Sequence, residues 1–246
     1  MECMSLLRFA ACSPDAELRA SVPFPCGDIQ RDSIPAALRR RSSQAMQLAF
    51  SAAADVCAET GRSPAQLSAI FASVAGEIQT TDQICTQLVK PDGLISPSAF
   101  HNSVQNTAAG YWSIAHQCRQ AASALAAGID TFAMALLEAW CQLACQSGEL
   151  LLVVYDECWP DYLAPHRGRP AFAAALLLAA GEVEGRIARL GKPWSQSGHF
   201  PAQWAALADA MPIAGAIPLL ECVSLGKAEH VCISAATPVW QIGVSF

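Results

Sequence analysis

Thiols and imidazoles are the groups with which this chain could do acid–base or nucleophilic chemistry. The sequence of 246 residues contains eleven cysteines and five histidines, which are His101, His116, His166, His199 and His230. No spacing joins them into a recognisable nucleophile–base set, and a lone histidine is more often structural than catalytic. There is no C-x-x-C pair, and Cys141 and Cys145 lack a nearby histidine to complete a ligand set. We therefore expect no metal and no cofactor.

Other catalytic motifs are missing from the sequence. It has no G-x-S-x-G elbow, no G-x-x-x-x-G-K phosphate loop, no G-x-G-x-x-G and no H-E-x-x-H. An ordinary hydrolase, kinase or nicotinamide enzyme is therefore disfavoured.

The charge balance points to a protein partner and argues against nucleic acid. Only 15% of the residues are charged, 53% are hydrophobic and the formal net charge is −6. A water-facing surface normally needs about 25% charged residues, so the deficit suggests extensive burial, including burial at a subunit interface. The only basic run, Arg39-Arg40-Arg41, is interpreted as the solvated first turn of a helix. Its other interpretation is a docking point for an acidic carrier protein.

The cysteines and the amino terminus favour the cytoplasm. Cys57, Cys85, Cys141 and Cys232 fall in apolar patterns, where a reduced thiol acts as a small hydrophobe. The start of the chain does not resemble a signal peptide. The most membrane-like stretch, residues 121–145, is interrupted by two acidic residues, so we expect no membrane span.

Apolar runs and turn residues predict alternating helices and strands. Strands are expected at residues 4–12, 67–74, 149–156 and, as a pair, 231–234 with 240–246. Helices are expected from about 32 to a Gly61 cap and at 80–89, 126–145, 182–190 and 202–211. Residues 171–178 fit either state, and an irregular polar stretch should begin at Ser96-Pro97. The pattern predicts an α/β layered fold in a single domain spanning residues 1–246.

Four segments carry a family resemblance. Residues 96–114 (SPSAFHNSVQNTAAGYWSI) are the most specific, and Arg39-Arg40-Arg41, Phe71-Ala72-Ser73 with Gly76-Glu77, and Leu151–Asp156 occur in the same order as the family's other landmarks. In these segments the chain resembles the N-terminal β-ketoacyl synthase family. The resemblance implies a thiolase-like half with a mixed β-sheet layered between helices. It also implies a strand that ends in a sharp turn and presents a cysteine at the start of a helix.

The resemblance places a leucine where the family has its nucleophile. Laying the family pattern T-A-C-[AS]-S-G on residues 123–128 puts the cysteine position at Leu125 and a turn glycine at Gly128. A leucine cannot form a thioester, although the glycine preserves the shape of the turn. The chain also has room for only one half of a synthase, so the second half with its catalytic histidines is expected to be absent. Catalysis by this chain alone is therefore not expected.

The resemblance then implies a role as a partner subunit. The expected function is that of a chain-length-factor-like protein that forms a heterodimer with a full-length β-ketoacyl synthase. Such a subunit would shape the acyl tunnel in polyketide or fatty-acid-like biosynthesis, by analogy of the aryl polyene type. Acyl carrier protein would be met through the complex.

Large apolar and polar side chains near the elbow are the candidates for interface or tunnel lining. They are Phe100, Asn102, Asn106, Tyr111, Trp112, Phe132 and Met134. Phe132 and Met134 fit a plain helix core at least as well as a tunnel, and the two asparagines could simply satisfy loop backbone groups.

Two other functions remain open. One is a scaffold that binds a synthase without touching the acyl chain. The other is a divergent cysteine acyltransferase or hydrolase that uses Cys118, Cys141 or Cys145 with one of the histidines.

Overall fold

One mixed β-sheet runs through the molecule in the computed structural model, which describes residues 1–163 and 170–246. Its strands are β1 Met4–Cys12, β2 Ser68–Ala72, β3 Ala122–Leu125, β4 Glu149–Asp156, β5 Phe172–Ala180, β6 Ala188–Leu190, β7 Trp194–Gln196, β8 Glu229–Cys232 and β9 Val239–Ser245. Their order is β3-β2-β4-β5-β1-β6-β9-β7, and β8 pairs with β9. The pairs β3–β2 and β2–β4 are parallel, whereas the remaining pairs are antiparallel.

The helices cover both faces of this sheet. They are α1 Ala16–Ser21, α2 Ala36–Arg39, α3 Gln44–Thr60, α4 Ile78–Leu88, α5 Pro97–Asn102, α6 Thr107–His116, α7 Thr131–Cys145, α8 Ala202–Ala210 and α9 Ala216–Ser224. α3 and α6 contribute to the core on one face, and α7 and α9 contribute to the core on the other. The expected mixed sheet layered between helices is therefore confirmed.

Strand β4 shows why the sheet lies at the centre. Its side chains alternate between the two faces, so Leu152 and Val154 enter the core with α7 while Leu151 and Val153 enter the core with α3. Because both faces are covered, the strand reads as a continuous apolar run instead of an alternating pattern. Strand β5 has the same character, which resolves the ambiguity over residues 171–178 in favour of a strand.

Helix α3 ends as expected but begins later than predicted. Gly61 closes it in the left-handed conformation with φ +65°. Its amino terminus is capped by the Ser43 side chain, which accepts a hydrogen bond from the Met46 amide. The predicted single helix from residue 32 is wrong, because the extended backbone at Ile34 and at Ser43 separates the short helix α2 from the turn before it and from α3.

Two further segments differ from expectation. The stretch predicted to be irregular after Ser96 forms α5 and α6, because buried apolar and polar contacts outweigh its polar composition. Residues 182–190, predicted to be a helix, form turns followed by β6, which pairs with β1 and β9.

Cys57 is buried as expected, but Cys85 and Cys141 are exposed, so their predicted burial is wrong. Within the described residues, no helix is long and apolar enough to cross a membrane.

Candidate functional site

The end of β3 forms a strand–turn–helix elbow. Leu125 is the last residue of the strand, its carbonyl accepts a hydrogen bond from the Ser73 amide at 3.1 Å, and its half-buried side chain packs against the core with α7. Gly128 then has φ +57°, and no atom lies within 4 Å of the place that a Cβ would take, so its conformation alone requires glycine. Thr131 stabilises the turn, because its hydroxyl accepts from the Ala127 amide at 3.1 Å and donates to the Gly128 carbonyl at 2.7 Å.

β3 is also an edge strand. Among the described residues it pairs only with β2. The carbonyls of Ala121 and Leu125 face β2, so by the alternation of a strand the backbone groups of Ala122 and Ala124 face outward. Both of these alanine side chains are exposed. The edge therefore offers free backbone donors and acceptors to another chain.

Large apolar side chains are exposed on the segments before and after this edge. They are Phe100 (64% exposed), Val104 (45%), Ile114 (66%) and Ile129 (41%). Ile114 lies on α6, which packs beside β3, and Ile129 lies in the elbow turn. Exposed apolar side chains such as Ile114 and Ile129 on elements that adjoin an unpaired strand edge are typical of a protein-binding site.

Asn102 and Tyr111 hold α5 against α6. The Tyr111 hydroxyl donates to Asn102 Oδ1 at 2.8 Å, and Asn102 Nδ2 donates to the Arg41 carbonyl at 3.1 Å. Both residues are buried, so they position the exposed Phe100 and Val104 and have little surface of their own. Asn106 is exposed and begins α6 without a side-chain cap.

Trp112 and Phe132 lie in the two cores on opposite faces of the sheet, and each is 1% exposed. Met134 is partly buried against the same core as Phe132. The structure thus separates these three buried candidates from Phe100, which is exposed on α5.

Buried carboxyl groups lie beneath the ends of β2 and β4, and the sequence analysis, which named Glu77 and Asp156 only within family landmarks, predicted no role for them. Asp156 Oδ1 accepts from the Ser73 hydroxyl at 2.6 Å and from the Val74 amide at 3.0 Å. Glu157 accepts from the Ala45 amide at 3.3 Å and from the Gln79 amide at 3.0 Å. One carboxylate therefore joins the amino-terminal turns of α3 and α4 to the end of β4.

Glu77 lies close to Glu157 and is 1% exposed. No donor among the described residues forms a hydrogen bond of good geometry with its carboxyl oxygens, although the hydroxyls of Ser43 and Thr80 are near enough to favour its ionised form. Burial, together with the charge of Glu157, outweighs these hydroxyls and raises the pKa of Glu77 to about 7. Only the Gly76-Glu77 pair in the sequence hinted at this group.

A polar cavity of about 630 Å³ opens next to these carboxylates. Arg40 and Arg41 line it together with hydroxyl and amide side chains and Glu157. The basic run of the sequence therefore lies next to the amino-terminal ends of α3 and α4.

Comparisons with known proteins identify the family. The family model of the β-ketoacyl synthase N-terminal domain matches residues 15–211. The chain belongs to the β-ketoacyl synthase N-terminal domain family. No curated protein matches the chain.

Solved structures share the fold of this ketosynthase-family chain over nearly its whole length. A chain of the ketosynthase (ApeO) in complex with its chain length factor (ApeC) from Xenorhabdus doucetiae is 21% identical, with 99% of this chain and 100% of that chain covered and a TM-score of 0.73. The ishigamide ketosynthase/chain length factor is 13% identical, with 98% of both chains covered and a TM-score of 0.68. AntDE:AntF, a type II acyl-carrier protein in complex with its ketosynthase, is 10% identical, with 100% and 99% covered and a TM-score of 0.71.

Several thiols of this ketosynthase-family chain are buried. Burial raises the pKa of Cys26 and Cys57 to about 11 and that of Cys222 to about 12. Cys118 donates to the Leu67 carbonyl at 3.5 Å, and Cys141 is exposed. His166 lies outside the described residues. No group of three or more metal-ligating side chains occurs in residues 1–163 and 170–246.

Proposed function

We propose that this chain is a non-catalytic, chain-length-factor-like subunit of a full-length β-ketoacyl synthase. In this role it binds the synthase through β3 and shapes the acyl tunnel in polyketide or fatty-acid-like biosynthesis. The observation that carries the proposal is the open edge of β3 with the exposed side chains of Ile114 and Ile129 on the adjoining elements. An edge with free backbone groups and apolar flanks gains both hydrogen bonds and buried area when a second strand is added.

Leu125 supports the non-catalytic part of the proposal. The elbow keeps its strand, its left-handed Gly128 and its helix, but an aliphatic side chain stands at the position aligned with the nucleophile. A leucine offers neither a nucleophile nor a proton, so the turn can contribute shape but no acyl transfer. The partner would supply the chemistry and the contact with acyl carrier protein.

The resemblance to ketosynthase–chain length factor structures supports the choice of partner. The aryl polyene pathway is the most specific part of the proposal and rests on the family resemblance of the sequence. Within it, Phe100 is the best candidate for tunnel lining, because its side chain is exposed on α5, which precedes in the chain the helix α6 that packs beside β3. Trp112 and Phe132 would act indirectly, by supporting the elements that carry this surface.

The partner interface is tested by a proline on the outward side of β3. The chain is co-expressed with a candidate ketosynthase that has an intact cysteine elbow, and the complex is measured by size-exclusion chromatography with light scattering. Ala124→Pro removes an outward-facing amide without touching the bonds to β2, so we expect the one-to-one complex to be lost. Ala124→Val keeps the amide and should still assemble.

Condensation assays complete this test. The complex should extend carrier-bound acyl chains, and this chain alone should not. Activity of this chain alone, or no association with any ketosynthase, would overturn the proposal.

Product length separates the tunnel role from a scaffold role. We expect Phe100→Ala to lengthen the products of the assembled complex and Phe100→Trp to shorten them, because the side chain changes the space at the end of the tunnel. Leu225→Ala, which truncates an exposed leucine next to α9, is the control and should leave the length distribution unchanged. If the Phe100 variants change only the affinity for the partner, the scaffold function is correct.

A further inference from the structure

On the side of β1 that faces away from β5, the backbone pairing is interrupted at the middle of the strand. On this side β6 pairs with β1 only from Met4 to Leu6, where the Ile187 amide bonds to the Leu6 carbonyl at 2.8 Å. Pairing resumes at the Ala11 carbonyl, which accepts from the Gly27 amide at 2.9 Å. Neither β6 nor the segment at Gly27 reaches the residues between these two points.

Phe9 occupies this gap. Because the Ala11 carbonyl faces Gly27, the alternation of the strand turns the amide and carbonyl of Phe9 to the same outer side and away from β5. A bulge between Leu6 and Arg8 sets this register. Phe9 therefore presents one backbone donor and one backbone acceptor to the gap.

A cavity of about 440 Å³ lies at the gap and crosses the sheet edge. Asp55 and Glu59 from α3 line it on one face, and Ser224 at the end of α9 lines it on the other. Phe9, Pro25 and Ile187 contribute apolar side chains, Arg8 contributes a guanidinium group, and Ala10, Ala11 and Gly27 complete the lining. The cavity thus combines an apolar slot with an unpaired strand edge.

The charge of the cavity favours a cation. Arg8 forms an ion pair with Glu59, whereas Asp55 is half-buried and is bonded only by the neutral amide of Gln30 at 3.3 Å among the described residues. Burial and the nearby Glu59 raise the pKa of the Asp55 carboxyl, as expected for an acid that lacks a positive partner. An incoming ammonium or guanidinium group would stabilise the ionised Asp55 carboxylate.

We propose that this slot, defined by Phe9, Pro25, Asp55 and Ile187, binds a short extended segment of another polypeptide that carries a lysine or arginine. One peptide unit of the segment pairs with the amide and carbonyl of Phe9, its apolar neighbours fill the slot, and its basic side chain pairs with Asp55. In the order of the sheet, β2, β4 and β5 lie between β3 and β1, so this site is separate from the proposed synthase interface.

The test uses the full chain, labelled with ¹⁵N, and the probe peptide acetyl-Val-Lys-Val-amide. We expect chemical-shift changes centred on Phe9 and Ala11, and slower hydrogen exchange at the Phe9 amide when the peptide is added. Asp55→Asn should weaken binding by roughly five-fold, as expected for loss of a partly buried ion pair. Asp28→Asn removes an exposed carboxylate near the same strand that does not line the cavity, so it should bind as the wild type does.

Three results would overturn the proposal. They are protection of the Phe9 amide in the free protein, absence of binding at millimolar peptide, and equal binding of a peptide with norleucine in place of lysine. The last result would identify the cavity as an apolar ligand site. Because the assay contains no synthase, its failure would leave the test of β3 unaffected.

Discussion

Glu77 is a buried carboxyl group whose titration opposes folding near neutral pH. Its pKa rises from 4.5 to about 7 in the folded chain, so between these values the folded state binds more protons than the unfolded state. Stability contributed by this group therefore falls as the pH rises from about 4.5 to about 7, and the loss is complete above that range. The shift corresponds to about 3 kcal/mol at most.

Glu77→Gln should remove this pH-dependent loss. We expect the variant to gain stability over the wild type at pH 8 and to lose that advantage near pH 4.5, as measured by urea unfolding at both pH values. Glu157→Gln is the comparison, because its carboxylate bonds two helix amides and an amide oxygen cannot replace both contacts. That variant should lose roughly 1 to 3 kcal/mol. A Glu77→Gln advantage that is the same at both pH values would contradict the argument.

Residues next to one another in the chain were easier to interpret than residues that meet in space. Leu125 and Gly128 were assigned by laying the pattern of the resembled family on one hexapeptide, and in the structure they occupy a strand end and a left-handed turn. Glu77 and Glu157 are eighty positions apart, so no local pattern shows that they meet beneath two helices. The exposure of Phe100 also depends on the packing of α5 and α6, which composition does not determine.

At the scale of elements, glycine occurs in two different backbone conformations, left-handed at Gly61 and helical at Gly110. Gly61 ends α3 at φ +65°, where a side chain is strained even though no atom lies within 4 Å of its Cβ position. Gly110 lies inside α6, is exposed and also has open space. Alanine should therefore destabilise at Gly61 and stabilise at Gly110.

The expected changes are about 1 kcal/mol in each direction, read from the urea midpoint at a constant slope. The two variants control for each other, because each adds one methyl group to an open position. Destabilisation by Gly110→Ala would show that α6 makes a close contact at this surface.

The success of the predicted elements followed their burial. β1 and β4 were predicted with their observed bounds because continuous apolar runs between turn residues leave few alternatives. Residues 182–190 have alternating charges that mimic a helical face, but their pairing with β1 and β9 is a long-range contact. Helices α5 and α6 likewise depend on contacts that no local pattern shows, because Asn102 donates to the Arg41 carbonyl and accepts from the Tyr111 hydroxyl.

At the scale of the whole molecule, one sheet separates two apolar cores. Phe50 is fully buried in the core with α3, and Phe132 is buried in the core with α7. Both cores use alternate residues of β4 and β5, so neither can lose its packing without exposing the strands of the other. We propose on this ground that residues 1–246 unfold as one domain.

Paired substitutions test this proposal. Phe50→Leu and Phe132→Leu should each lower the free energy of unfolding by roughly 1 to 2 kcal/mol, less than full truncation of a buried phenylalanine. Each variant should keep a single transition that tryptophan fluorescence and far-ultraviolet circular dichroism report at the same midpoint. Because the two side chains lie on opposite faces without shared core contacts, the double variant should equal the sum within about 0.5 kcal/mol. Two separate transitions, each shifted by only one substitution, would instead show that the two faces fold as independent units.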